Sequence, residues 1–178
     1  WLENLVDWNL SRSRFWGTPL PIWRTADGTE EKCIGSIAEL QAEIDKSVAA
    51  GFMTASPYAG KELDLHRPYV DEVILISNTG QKMVRETDLI DVWFDSGAMP
   101  YAQWHYPFEN KDIFAANFPA DYIAEGVDQT RGWFFTLHAL SVMLFDSVSF
   151  KNVIANGLVL DKNGNKMSKR LGNAVDPF

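Results

Sequence analysis

Cysteine is almost absent from this sequence of 178 residues. Cys33 is the only one, so neither a disulfide within the chain nor a zinc site built from several cysteines can form. Histidine is also rare. His66, His105 and His138 are scattered, and His105, between two aromatic residues, is expected to pack rather than to act as a base. We therefore expect no metal site in this chain, and no zinc in particular.

Positive charge and long apolar runs are scarce as well. Sixteen Lys and Arg residues against twenty-four Asp and Glu give a net charge of -8, the wrong sign for binding nucleic acid over the whole surface. The longest apolar stretch, Trp133 to Phe145, is interrupted by polar residues and is too short to cross a bilayer about 30 Å thick. We expect no membrane partner and a cytoplasmic location. Because the first residues include neither an initiator Met nor a basic leader, we expect the chain to begin inside a longer protein.

One basic cluster stands out against the acidic background. Lys162, Lys166, Lys169 and Arg170 occur close together, with Gly164 among them. By composition alone, such a cluster is usually a solvated turn. If this chain binds a polyanion, it has to do so locally, and this loop is the place that suits it.

A helix is the clearest element in the first half of the chain. Ser36 followed by Glu39 forms a capping box, and apolar residues then recur at helical spacing as far as Val48. Gly51 stands where a left-handed residue commonly ends a helix. The sequence therefore predicts one amphipathic helix between these signals.

A hairpin and an irregular segment complete the first half. Residues 73–77 are apolar and β-branched, residues 78–80 supply turn chemistry, and Lys82 to Arg85 can return as a second strand. Residues 1–23, rich in aromatic side chains and interrupted by glycine and proline, are expected to be packed but irregular. We interpret residues 1–86 as a mixed α+β connective segment.

The second half has the pattern of an α/β protein. Asp121 to Glu125 suits a short strand, Gly126 breaks it, and Asp128 can cap a buried helix over Gln129 to Phe145. Residues 152–156 look like the next strand. Strand, helix and strand at this spacing predict a βαβ unit with two parallel strands.

The predicted fold class is accordingly α/β. Residues 87–178 are interpreted as the part of the chain that forms this parallel sheet. Ligands of such sheets lie beyond the carboxyl ends of the strands, which here means residues 125–129 and Gly157. An anionic group is expected at residues 125–129, at the start of the helix.

Two motifs carry a resemblance to a known family. Ala124 to Phe135 reads AEGVDQTRGWFF, and Lys166 to Arg170 reads KMSKR further along the chain. In this order they resemble class I aminoacyl-tRNA synthetases of the isoleucine type, whose second motif usually ends in serine. Arg170 keeps a positive charge there, so we expect phosphate binding to be retained. Residues 8–21 and 91–97 are similar to the same family, and the resemblance covers nearly the whole chain. It implies that residues 87–178 are the second half of a Rossmann-type nucleotide-binding domain.

The resemblance implies a reaction in two steps. The carboxylate of isoleucine attacks the α-phosphate of ATP and releases pyrophosphate, and the aminoacyl group then passes to tRNA. The protein supplies no nucleophile; it holds the reactants in line and neutralises the charge of the triphosphate. The implied partners are isoleucine, ATP with Mg²⁺, tRNA(Ile) and the remaining domains of the same protein.

Individual residues acquire candidate roles by the same resemblance. Lys166 and Lys169 are the candidate catalytic residues, which also bind the ATP phosphates. The other candidate ATP-binding residues are Ser168 and, through main-chain groups near the adenine, Gly157, Leu158 and Val159. The candidate residues for the aminoacyl-adenylate are Glu125 and Gln129 at the amino-acid end, Gly126, Asp128 at the ribose hydroxyls, and Trp93 and Trp133 as walls of the side-chain pocket.

Some features of the family are missing, and two other interpretations stay open. The His-x-Gly-His signature that contributes to the ATP site does not occur, so we expect the chain alone not to activate isoleucine.

A synthetase of the valine or leucine type is one alternative, against which the residues at 125–126, 128–129 and 132–133 argue. A non-catalytic, synthetase-like binding module is the other.

Overall fold

The chain consists of two compact units, Trp1–Val92 and Trp93–Phe178. A computed structural model describes residues 1–174, with the exception of the side chain of Lys169. Residues 175–178 of the predicted catalytic half lie outside the described residues. The assignment of residues 1–86 and 87–178 to a connective and a catalytic domain stays a prediction.

Antiparallel strands dominate the first unit. Its elements are β1 (Ser11–Arg12), β2 (Ile22–Thr25), β3 (Glu31–Cys33), α1 (Ile37–Ala49), β4 (Ile74–Ile76), β5 (Lys82–Arg85) and β6 (Leu89–Ile90), with 3₁₀ turns at Leu2–Asn4 and Tyr69–Glu72. The main sheet has four strands in the order β3-β2-β5-β4, and a second, two-stranded sheet pairs β1 with β6. The predicted hairpin is confirmed, because β4 and β5 pair directly through the turn at residues 78–80.

The predicted helix is α1, and its ends have the expected chemistry. The Ser36 hydroxyl accepts a hydrogen bond from the Glu39 amide at 3.1 Å. At the other end Gly51 has φ +79°, and two backbone bonds, from Gly51 to Val48 and from Phe52 to Ser47, form a Schellman motif. The helix therefore begins and ends where local side chains satisfy its free backbone groups.

One apolar core holds the first unit together. Trp23 of β2 lies at its centre, and its indole N–H donates to the Val73 carbonyl at 2.9 Å. The surrounding buried side chains come from α1 and the hairpin and include Leu40, Ile44, Val73, Leu75 and Met83. The expectation that residues 1–23 are packed is wrong in part, because the side chains of Phe15 and Trp16 are 62% and 73% exposed.

The second unit contains the predicted βαβ arrangement. Its elements are α2 (Val92–Gly97), which begins at the unit boundary, α3 (Met99–Ala102), α4 (Lys111–Asn117), β7 (Ile123–Gly126), α5 (Trp133–Phe145) and β8 (Val153–Asn156). The strands β7 and β8 are parallel, with Ile123 opposite Val153 and Gly126 opposite Asn156. Phe134, Leu137 and Phe150 form the buried cluster between α5 and these strands. The chain as a whole is thus α/β.

Three details around α5 differ from the prediction. Gly126 is the last residue of β7 rather than a break, and Asp128 lies in a 3₁₀ turn, Val127–Arg131, without capping the helix. The helix begins at Trp133 because the backbone of Gly132, at φ -137° and ψ -116°, is not helical. The predicted burial of the helix holds for residues 133–141, which are buried or half-buried, whereas Val142, Met143 and Leu144 at its C-terminal end are exposed. No helix within residues 1–174 is long and apolar enough to span a membrane.

Candidate functional site

A pocket of about 420 Å³ lies beside β7 in the second unit. Glu125 and Trp133, two residues of the first motif, line it together. Its other walls are mostly apolar and include Met99, Phe118, Ile123, Leu137 and Phe150. An apolar pocket with one carboxylate at its edge suits a ligand that has an aliphatic body and a cationic group.

Trp133 is fixed by hydrogen bonds at both its backbone and its side chain. Its backbone N–H donates to Oε1 of Gln129 at 3.0 Å, and its indole N–H donates to the carbonyl of Ser96 at 3.0 Å. Gln129 thus satisfies the first free N–H of α5, the role that the sequence suggested for Asp128. The anion site expected at this helix start loses one of its donors in consequence.

Glycines make the close contacts around Trp133 possible. A Cβ on Gly97 would lie 2.9 Å from the carbonyl oxygen of Thr136 and 3.0 Å from Cδ1 of Leu140, so α2 can approach α5 only with glycine there. A Cβ on Gly132 would lie 2.7 Å from Oε1 of Gln129. Sequence reasoning did not assign Gly97 a role; its only signal was that it ends the motif at residues 91–97.

The remaining residues of the first motif stand at the end of β7. A Cβ on Gly126 would lie 2.4 Å from Oδ1 of Asp128, so glycine leaves room for this carboxylate to fold back over the strand. Oδ2 of Asp128 accepts a hydrogen bond from the Gln129 amide at 3.3 Å. The structure therefore brings Glu125, Gly126, Asp128 and Gln129 to one end of the sheet.

The adenine candidates lie at the same end of the sheet. Gly157, Leu158 and Val159 directly follow β8, and all three are exposed. Since Gly126 pairs with Asn156 in the parallel register, the two groups of candidates leave adjacent strands side by side. Trp93 is placed differently: among the described residues that line the pocket, Trp133 is present and Trp93 is not.

The second motif follows a tight turn. Lys166 pairs with Leu160 in an antiparallel bridge, and the turn between them contains Gly164 at φ +79°. Lys166 and Arg170 are exposed and Ser168 is half-buried. Lys169 begins a short 3₁₀ helix, Lys169–Leu171, and its side chain lies outside the described part of the chain. Lys162 and Lys166 thus lie in a short hairpin, and Lys169 and Arg170 lie in the 3₁₀ helix that follows it.

Side chains that commonly bind metals do not cluster near these motifs. Within residues 1–174 no three His, Cys, Asp or Glu side chains come together as a potential metal site.

Comparison with known proteins gives a consistent result along the whole chain. Residues 1–178 match the family described as tRNA synthetases class I (I, L, M and V). The isoleucine--tRNA ligase of Cytophaga hutchinsonii is 75% identical over 178 residues, which cover 100% of this chain and 16% of that protein. The isoleucine--tRNA ligase of Thermus thermophilus is 56% identical, with the same coverage. This chain therefore spans about a sixth of the length of these curated relatives.

A solved structure bears on the fold alone. The LeuRS of Agrobacterium radiobacter K84, in a ternary complex with tRNA and LeuAMS, superposes with a TM-score of 0.64 at 22% identity. The superposition covers 97% of this chain and 22% of that one. The family match and this likeness together support the α/β fold, and the resemblance of the two motifs to class I synthetases is confirmed. The chain belongs to the class I tRNA synthetases of the I, L, M and V group.

Proposed function

We propose that this chain is part of an isoleucine--tRNA ligase and forms the side of its active site that binds the aminoacyl-adenylate and the ATP phosphates. One observation carries the proposal: an isoleucine--tRNA ligase is 75% identical over all 178 residues, both motifs included. The alternative of a valine- or leucine-type enzyme rests only on the shared family.

The second unit is proposed to be the C-terminal half of a Rossmann-type domain. The parallel pair β7 and β8, joined by α5, supports this assignment, and so do the candidates at the carboxyl ends of both strands. Residues 1–86 are proposed to be the connective segment that follows the editing insertion of such enzymes. The remaining domains of the same protein would complete the ATP site.

The pocket beside β7 is proposed to hold isoleucine. Its apolar walls, Trp133 among them, suit a branched aliphatic side chain, and the Glu125 carboxylate suits the ammonium group. We keep Trp93 as a candidate second wall by resemblance. Gln129 would join Glu125 at the amino-acid end of the adenylate, with Gly126 beside them, and Asp128 would bind the ribose hydroxyls.

The nucleotide is proposed to extend from the end of β8 to the second motif. Main-chain groups of Gly157, Leu158 and Val159 would bind the adenine. Lys166, Lys169 and Ser168 would bind the triphosphate and neutralise the charge that moves onto pyrophosphate as the isoleucine carboxylate attacks the α-phosphorus. Mg²⁺ would enter with ATP on its phosphate oxygens. The aminoacyl group would then pass to tRNA(Ile) in the cytoplasm, where protein synthesis takes place.

Isoleucine-dependent ATP–pyrophosphate exchange by the intact protein that contains this segment tests the proposal. Isoleucine should support exchange far better than leucine, and better than valine by roughly 10–200-fold, the limit that one methylene group imposes in an apolar pocket and of which enzymes of this class are a known example. Preference for valine or leucine would favour the alternative enzymes, and no exchange with any amino acid would favour a binding module. Residues 1–178 alone should show no exchange above background.

A further inference from the structure

We propose that Asp161 and Asn173 are positioning residues whose side chains bind each other and hold the second motif at Lys166 and Ser168, so that its backbone keeps the shape that receives the triphosphate. The inference rests on the proposed function. It concerns a pair of residues that lie on either side of Lys166–Arg170 and that neither the motif nor the pocket includes.

Asp161 organises the turn that precedes the motif. Its Oδ1 accepts hydrogen bonds from the backbone N–H groups of Asn163 and Asn165, at 2.9 and 2.8 Å. Its own backbone N–H donates to the Asn165 carbonyl, and its carbonyl accepts from the Gly164 N–H, both at 2.9 Å. One residue therefore closes the turn through side chain and backbone together, and sets the point at which Lys166 leaves it.

The second oxygen of the same carboxylate reaches across the motif. Oδ2 of Asp161 accepts a hydrogen bond from the side-chain amide of Asn173 at 2.9 Å, although the two residues are 12 positions apart. Oδ1 of Asn173 accepts from the Ser168 N–H at 2.8 Å, and its amide nitrogen lies 3.3 Å from the Lys166 carbonyl. Asn173 thus contacts the backbone on both sides of Met167 while Asp161 holds it in place.

The chemistry of the pair depends on which partner is charged. Hydrogen bonds from the Asn165 backbone and the Asn173 amide lower the pKa of Asp161, so its carboxylate is ionised at neutral pH. An ionised carboxylate only accepts hydrogen bonds, which matches the donors that face it. An amide at position 161 would instead turn its NH₂ group toward the NH₂ group of Asn173.

The pair acts on the proposed reaction through the backbone of Lys166 and Ser168. Neither Asp161 nor Asn173 belongs to the pocket beside β7. Breaking the hydrogen bond between Asp161 and Asn173 should therefore raise KM for ATP and leave the affinity for isoleucine unchanged. A general loss of folded protein would instead lower the rate with both substrates and shift neither KM.

The test uses Asp161→Asn, Asn173→Asp and the double exchange in the intact protein. In ATP–pyrophosphate exchange, each single variant should raise KM for ATP, and so lower kcat/KM for ATP, by roughly 10-fold or more, the scale of one lost hydrogen bond to a charged group. KM for isoleucine should stay within about twofold. The double exchange should recover part of the loss, because an amide at position 161 can donate to a carboxylate at position 173.

A matched control and two contrary outcomes complete the test. Asp112→Asn removes an exposed carboxylate from α4 in the same unit and should change neither KM. The inference would be overturned if the single variants left kcat/KM for ATP unchanged. It would also be overturned if the loss in the double variant equalled the product of the two single losses. If the wild-type protein shows no isoleucine-dependent exchange, the proposed function itself fails, which is a distinguishable result.

Discussion

The indole nitrogen of Trp133 lies 3.0 Å from the carbonyl oxygen of Ser96, 37 positions earlier in the chain. This bond joins two motifs, residues 91–97 and 124–135, that the sequence could only place in order. It also holds the tryptophan ring in the wall of the pocket beside β7. Several consequences of the arrangement can be measured.

Trp133→Phe removes the indole N–H and keeps an aromatic ring. The Ser96 carbonyl loses its donor, so we expect the free energy of unfolding to fall by about 1 kcal/mol. KM for isoleucine should rise, because the pocket wall is no longer fixed. Urea unfolding and exchange kinetics on the intact protein measure both effects.

Trp16→Phe provides the control for this substitution. Trp16 is 73% exposed and belongs to the first unit, so its replacement should change neither quantity. Equal effects of the two substitutions would contradict a specific role for the bond between Trp133 and Ser96.

Gly97→Ala tests the close approach of α2 to α5. The added Cβ would meet the Thr136 carbonyl oxygen at 2.9 Å, and backbone cannot move aside as a flexible side chain can. We expect a loss of roughly 1–3 kcal/mol in the free energy of unfolding, because overpacking exceeds the gain in helix propensity of up to about 1 kcal/mol. Gly35→Ala, whose Cβ would make only an ordinary contact at 3.5 Å, should stay within about 0.5 kcal/mol. A stabilised Gly97→Ala variant would contradict the packing described for α2.

Asp71 makes the stability of the first unit depend on pH. Burial raises the pKa of this carboxyl, but hydrogen bonds from Arg85 and Arg67 outweigh burial and lower it below the ordinary 3.8. Because the folded pKa lies below the unfolded one, the stabilisation is fully present above about pH 4 and is lost as pH falls through the folded value. The Arg85 side chain is only 1% exposed, so it depends on this partner.

Asp71→Asn should therefore destabilise the protein near neutral pH and much less in acid. We expect a loss of about 1.5–3 kcal/mol near pH 7, and a flatter dependence of unfolding free energy on pH below about pH 4. Urea unfolding between about pH 3 and pH 7 measures the free energy of unfolding of both proteins, with Asp112→Asn as the exposed control. Parallel pH curves for wild type and Asp71→Asn would show that the carboxylate does not contribute in this way.

The sequence predicted those elements whose ends are decided by nearby residues. The capping chemistry around Ser36 and Gly51, the turn at residues 78–80 and the strand pattern at 152–156 all act within a few positions, and each is confirmed. The predicted start of α5 was wrong, because its first N–H donates to the Gln129 side chain and not to Asp128. Local patterns do not determine which of two neighbouring polar side chains folds back.

Contacts between distant residues were beyond sequence reasoning. The approach of Gly97 to Thr136 and the bond between Asp161 and Asn173 join residues far apart in the chain. Their only signals were a glycine at the end of one motif and polar residues around another. Glu125 and Trp133, which the resemblance assigns to one ligand, line the same pocket, and their roles there stay predictions.

The proposed isoleucine site depends most on Glu125, whose carboxylate would meet the ammonium group. Calorimetric titration of the intact protein and its Glu125→Gln variant should use two ligands: a non-hydrolysable isoleucyl-adenylate analogue and the same analogue without its amino group. Glu125→Gln should weaken binding of the first roughly 10-fold or more and of the second by no more than about twofold. Equal losses for both ligands, or no loss for either, would contradict the account, because the carboxylate would then not be meeting the ammonium group.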